Sequence, residues 1–151
     1  MNTAIFAQPY AAAVKQLLSE AHLSTADINV GHPAHFFGCG DGELLLGVVG
    51  LEFYDDIALL RSLAVVVDCR GAGLGGAQVA HAEQYATHRR VRSIYLLTHT
   101  AVSFFARLGY IGVARDQAPV AIRNTQQFTD ICPASSAFMV KHLPGYGVQT
   151  G

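Results

Sequence analysis

The chain is poor in charge: Asp, Glu, Lys and Arg make up 14% of its 151 residues, and the formal net charge is −1. Proteins that grip nucleic acid neutralise phosphates with a broad cationic face, and this composition supplies none, so nucleic acid is excluded as the expected partner. Cysteine is equally scarce. Cys39, Cys69 and Cys132 are an odd number with no Cys-x-x-Cys spacing, which excludes a disulfide framework and a zinc knuckle. The histidines His22, His32, His35, His81, His88 and His142 fall into no His-Glu-x-x-His or comparable spacing, so no metal is expected. No apolar run reaches the about 18 residues of a membrane helix, and Met1-Asn2-Thr3-Ala4-Ile5-Phe6 lacks the basic start and apolar stretch of a secretory signal. These absences predict a cytoplasmic protein, neither exported nor membrane-bound, whose partner is a small molecule or another subunit.

What is present is apolar. Hydrophobic residues are 51% of the chain, enough for a buried core in one domain spanning residues 1–151. Thr3 to Ala7 reads as a strand and Tyr10 to His22 as a helix, with Val14, Leu17, Leu18 and Ala21 at helical spacing. Ser24 to Pro33 is punctuated by Asp, Asn, Gly and Pro. His35 to Cys39 and Leu44 to Tyr54 read as hairpin arms about Asp41-Gly42. After Asp55-Asp56, the run from Ile57 to Val67 is too continuously apolar for a sheet with one wet face and predicts a central strand covered on both sides. A glycine loop then opens a helix through Val79, Ala82, Tyr85 and Ala86 that ends near Arg89-Arg90, where cations suit a helix C-terminus. A strand (Ser93 to Thr98), a short helix (Ala101 to Leu108), a strand (Tyr110 to Ala114), a helical segment (Pro119 to Asn124) and a last strand (Ala137 to Val140) follow. The order predicts a mixed α/β sheet.

The loop Arg70-Gly71-Ala72-Gly73-Leu74-Gly75 is the strongest chemical signal. Glycines that expose consecutive backbone amides at a helix start make an anion site, because unpaired N–H groups and the helix dipole both favour negative charge. Gly71, Gly73 and Gly76 formally satisfy the dinucleotide pattern Gly-x-Gly-x-x-Gly. That pattern also needs an acidic residue about 20 positions on, and none stands between Glu83 and Asp116. A P-loop needs Gly-Lys-Ser/Thr, and Gly75-Gly76-Ala77 offers neither lysine nor hydroxyl. A bare packing turn is the plain alternative. Arg70, a fixed cation beside the glycines, weighs against it, because a guanidinium forks onto phosphate oxygens.

Leu63-Ala64-Val65, the loop Arg70-x-x-Gly73-x-Gly75 with its helix, and Ser103-Phe104-Phe105-Ala106-Arg107-Leu108-Gly109-Tyr110 stand in the order and spacing of the GNAT acyltransferase superfamily. The chain resembles that superfamily from about residue 3 to 141. Gly50-Leu51-Glu52, Ala58 to Val65, Tyr95-Leu96-Leu97-Thr98, Pro119-x-x-Ile122-Arg123, Phe128 and Cys132-Pro133-Ala134-Ser135 look most like the arsenic-resistance-associated N-acetyltransferases. The resemblance implies a mostly antiparallel sheet of six to seven strands, split at a central parallel pair and flanked by about four helices. It implies acetyl-CoA as cosubstrate, with Leu63, Ala64 and Val65 presenting backbone to the pantetheine and the amides of Arg70, Gly71, Ala72, Gly73, Leu74 and Gly75 holding the pyrophosphate. It further implies the primary amine of a small, amino-acid-like acceptor, with an arsenic- or phosphorus-containing amino-acid analogue among the candidates and a protein or peptide amine as the alternative. It allows a homodimer, since many relatives pair. Two positions depart from the family: Phe105 stands where many members carry a tyrosine acid, and His99 where they carry a CoA-contacting asparagine. Both are cosubstrate-side candidates. Phe105 cannot protonate a thiolate, so an acyl-CoA sensor without turnover is a rival to the enzyme.

Acetyl transfer needs a neutral amine, whose conjugate acid has a pKa of about 10, so a base is expected. Glu52, in an otherwise apolar strand beside Leu51 and Phe53, is the candidate, because burial raises a carboxylate's pKa towards a useful range. Arg61 interrupts the central strand, where arginine is kept when paired or binding an anion, and is the candidate anchor for an acceptor carboxylate. Equally, the two residues can meet across the hairpin about Asp55-Asp56 and form a salt bridge. Ser62 and Thr98 are further acceptor-side candidates. Strand alternation turns Ser62 away from Arg61 unless a bulge intervenes.

Overall fold

The computed structural model describes residues 5–7, 11–20, 34–41, 44–66, 69, 71, 73–125, 128 and 136–144. Arg70, Ala72, the segment 24–33 and the motif 132–135 lie outside the described residues. Among the described residues seven strands and four α-helices follow in the order β1 (Ile5–Ala7), α1 (Ala11–Glu20), β2 (Ala34–Asp41), β3 (Leu44–Tyr54), β4 (Ile57–Val65), α2 (Leu74–His88), β5 (Ser93–Thr98), α3 (Val102–Arg107), β6 (Ile111–Gly112), α4 (Val120–Arg123) and β7 (Ala137–His142). The hydrogen-bonded strand order is β1-β2-β3-β4-β5-β7-β6. Described residues up to Glu52 and from Leu60 to Gln84 form one compact unit; Phe53–Leu59 and those from Tyr85 onward form a second.

In the first unit β2 pairs antiparallel with β1 on one side and β3 on the other. Phe37 stands opposite Val49 and Cys39 opposite Gly47, with a register slip after Cys39. The helical spacing of Val14, Leu17 and Leu18 puts one stripe of α1 inward, where it buries against Leu45, Val48 and Ala64. Each such side chain contributes about 1.5–3 kcal/mol by leaving water. Ala58 to Arg61 are buried without a break, as expected of a central strand.

In the second unit the start of β4 runs parallel to β5, Ile57 beside Ser93 and Leu59 beside Tyr95. β7 then pairs antiparallel with all of β5, from Ser93 opposite His142 to Thr98 opposite Ala137. Leu59, Ala118, Ile122 and Phe138 form its core, with Tyr95 stacked on Phe138 at 5.4 Å between ring centres. The end of α3 is closed by Lys141 Nζ, which donates to the Leu108 carbonyl at 2.9 Å, and by Gly109 at φ +100°, a left-handed angle that favours glycine. β6 is shorter than the strand expected from Tyr110 to Ala114. Its Ile111–Gly112 pair with β7 as far as Met139, after which Val113 N bonds the Phe138 carbonyl and the chain leaves into a 3₁₀ turn at Arg115–Gln117.

Candidate active site

β3 and β4 are joined by the two-residue turn Asp55-Asp56, with Asp55 at φ +56°, an angle short acidic side chains tolerate. The hairpin brings Glu52 and Arg61 together. Arg61 Nη1 donates to Glu52 Oε2 at 2.7 Å, and the side chains expose 1% and 0% of their surface. Withdrawing two charges from water costs several kcal/mol per ion, which only a short contact with further hydrogen bonds offsets. Arg61 supplies such a bond: its Nε donates to Ser62 Oγ at 3.0 Å. Its stem crosses Gly50, where an added Cβ would come within 3.3 Å of Arg61 Cγ and 2.8 Å of the Phe36 ring, and its guanidinium carbon lies 5.8 Å from that ring's centre. Gly50 and Phe36 thus shape the seat of Arg61. A glycine inside a strand is a mark of such close approach.

The Arg61–Ser62 bond is the exception that strand alternation allows: a bulge brings the two together. Counting back from the turn sets Leu46 opposite Val65, yet the observed bond runs from Val66 N to Leu46 O at 2.8 Å. β4 therefore carries one extra residue. Ser62 is the irregular position, at φ +58° in the left-handed region, which costs an L-residue about 1–2 kcal/mol. The bulge turns the serine hydroxyl back towards Arg61 and resets the faces of Leu63, Ala64 and Val65. Ala64 is buried in the first unit's core, while Leu63 and Val65 are half-buried.

Beyond β4 the glycine turn leads into α2. Gly71 and Gly73 take φ +86° and +82°, which explains glycine there, and a Cβ at either would meet nothing within 4 Å. The first full-turn bond runs from Ala77 N to Gly73 O at 3.0 Å, so the amides of Leu74, Gly75 and Gly76 stand ahead of it at the positive end of a 15-residue helix. Such a terminus receives an anion. The turn's other side chains are outside the described residues at Arg70 and Ala72.

The remaining candidates lie in the second unit. Thr98 Oγ1 accepts the Ala101 amide at 3.0 Å and so organises the entry to α3. His99 is exposed. Phe105 is buried in an aromatic group, edge-on to Phe104 at 5.0 Å and to Tyr110 at 5.5 Å. Cys39, fully buried, has its thiol pKa pushed up to about 11 by desolvation and by neighbouring Cys69, and stays protonated at neutral pH. Among the described residues no group of three or more His, Cys, Asp or Glu could hold a metal, and no helix is long and apolar enough to cross a membrane.

Residues 4–110 match the model of the Acetyltransferase (GNAT) family. An uncharacterized N-acetyltransferase of Chlorobaculum tepidum is 30% identical over 94 residues, 62% of this chain and 60% of that protein. Among solved structures, N-acetylglutamate synthase from Neisseria gonorrhoeae, complexed with coenzyme A and N-acetyl-glutamate, superposes with a TM-score of 0.76 at 20% identity, over 95% of this chain and 35% of that one. A GNAT-family acetyltransferase from Staphylococcus aureus gives 0.75 at 14% identity, over 93% and 99%. The match thus covers 60% of the Chlorobaculum protein and 35% of the Neisseria one, less than two thirds of either.

Proposed function

The chain belongs to the GNAT acetyltransferase family, and on that premise we propose that it is a cytoplasmic enzyme moving acetyl from acetyl-CoA to the primary amine of a small, amino-acid-like acceptor. The observation that carries this reading is Glu52, a buried carboxylate aligned by Arg61 beside the break in β4. In the reaction the amine lone pair forms a bond to the thioester carbon, the C–S bond breaks, and the sulfur departs as thiolate. The surplus proton of the amine passes to Glu52. A thiol with a pKa of about 8.5 leaves without a strong acid, which suits a protein with Phe105 at the family's tyrosine position.

Leu63, Ala64 and Val65 would offer backbone groups to the pantetheine, and the turn from Arg70 to Gly75 would hold the pyrophosphate. Support for the turn is the left-handed pair Gly71 and Gly73 ahead of a helix N-terminus. Arg61 aligns Glu52 in the free protein and, by exchanging that contact, would receive an acceptor carboxylate. Ser62 is a further proposed acceptor contact of the first unit; of the second unit's residues, Thr98 is proposed by itself as an acceptor contact, and His99 and Phe105 as cosubstrate contacts. An amino-acid acceptor accords with the N-acetyl-glutamate held by the Neisseria neighbour. Arsenic- or phosphorus-containing amino-acid analogues belong in the same panel.

The test is release of free CoA, followed with a thiol reagent, when the protein meets acetyl-CoA and a panel of amines. Release that depends on an amino acid with a free α-amine is the expected result. The buried Phe105 favours a second reading, an acyl-CoA sensor: CoA binding with no release by any amine would decide for it.

A further inference from the structure

Gln78 is fully buried, and among the described residues neither polar atom of its amide, Oε1 or Nε2, has a hydrogen-bond partner. Leaving a buried amide unsatisfied costs about 1–3 kcal/mol, and leucine or methionine would fill a helix–sheet contact without that cost. The residue therefore calls for a reason other than stability. Its position supplies one. The amide oxygen occupies the place where a side chain on Gly47 would begin: a Cβ there would overlap Gln78 Oε1 and stand 3.0 Å from both Gln78 Cδ and Cys39 Sγ. Gly47 lies in β3 opposite Cys39 in β2, so the notch has a floor of glycine backbone and a wall of protonated thiol.

The notch sits at the first buried turn of α2. Leu74, Gly75 and Gly76 are half-buried and Ala77 is exposed, so Gln78 and Val79 are the first buried residues of the helix. Two glycines in the opening turn present no side chain and each weakens the helix by about 1 kcal/mol relative to alanine. The amides that precede the first full-turn bond are thus placed by the next turn, and in that turn the long side chain reaching the sheet is Gln78.

We propose that Gln78, seated in the Gly47 notch, is a positioning residue for acetyl-CoA: it fixes the height and rotation of the start of α2, and hence where the amides from Gly73 to Gly76 meet the pyrophosphate. This rests on the reading that the glycine turn binds that group. The shape of the amide, not its polarity, does the positioning, by filling the space above Gly47 with a flat end on an unbranched stem, a shape that leucine, branched one carbon earlier and not planar, does not copy.

The experiment measures CoA affinity by titration calorimetry alongside thermal midpoints for the wild type, Gly47→Ala, Gln78→Leu, Gln78→Ala and the double variant Gly47→Ala/Gln78→Ala. The expected pattern is a Kd about tenfold higher in Gly47→Ala and in Gln78→Leu, a loss of about 1.4 kcal/mol of binding. KM for the amine should stay unchanged, and Gln78→Leu should melt no lower than the wild type. In the double variant the alanine methyl occupies the vacated notch, and the Kd should recover most of the way. Unchanged Kd values in folded Gly47→Ala and Gln78→Leu would overturn the proposal, whatever their midpoints. Wild type that fails to bind CoA would overturn instead the assignment of the glycine turn on which it rests.

Discussion

Arg61 and Glu52 face each other at 2.7 Å with essentially no surface exposed, so each is the condition under which the other can be charged inside the protein. Truncating one partner leaves an uncompensated buried charge, which typically costs about 3–5 kcal/mol, whereas replacing both by apolar residues is often neutral. Arg61→Met and Glu52→Leu should each lose stability of that order in urea unfolding. The double variant should regain most of it. Additive losses would show that the pair is not coupled.

Glu52→Gln keeps the shape and an acceptor oxygen for Arg61 while removing basicity. Turnover should fall by about 10²–10⁴-fold, the usual contribution of a general base, with CoA affinity unaltered. Undiminished turnover would take Glu52 out of the chemistry and leave it as the partner of Arg61.

Ser62 holds a left-handed angle and accepts from Arg61. Ser62→Gly relieves the angle and forfeits a hydrogen bond of about 1 kcal/mol, so its net effect on stability should be small. Ser62→Val loses both, because a β-branched residue resists positive φ, and should destabilise by more than about 2 kcal/mol. Equal stability of the two variants would mean that β4 is regular in solution.

The Cys39 thiol is held above its ordinary 9.0, at about 11, and the Tyr95 phenol is raised above 10.0 by burial and, less, by Asp56. The folded state therefore keeps protons that the unfolded chain releases. Their stabilisation is complete below pH 9 and is lost as pH climbs towards 11. The thermal midpoint should fall across that window, and less steeply in Cys39→Val. In the native protein at pH 8 Cys39 should resist alkylation that proceeds on denaturation.

Most of the frame is legible from residue order. The unbroken apolar run from Ile57 marks the central strand, and the acidic pair after Tyr54 marks the turn that sets Glu52 near Arg61. The ends of elements are less legible: α3 spans Val102–Arg107, one residue short of the expected Ala101–Leu108 at each side, and β2 runs to Asp41 rather than Cys39. The bulge left no trace because serine carries no signature of positive φ; only the register against β3 reveals it. Gln78 was hidden for a related reason. A single polar letter on the inward stripe of a helix looks like a solvated position until its neighbour across the gap, Gly47, is known.

Gly50 has a consequence for how such a chain can diverge. Phe36 and Arg61 occupy the space that any larger residue at position 50 would need. Replacement of Gly50 is therefore open only after Phe36, the nearer obstacle, has become small and Arg61 has given way, and a lineage that has then filled position 50 cannot regain the Phe36 ring beside Arg61 until glycine returns. Here the order of substitutions matters as much as their identity, and the ring, once abandoned, is closed off to direct reversion.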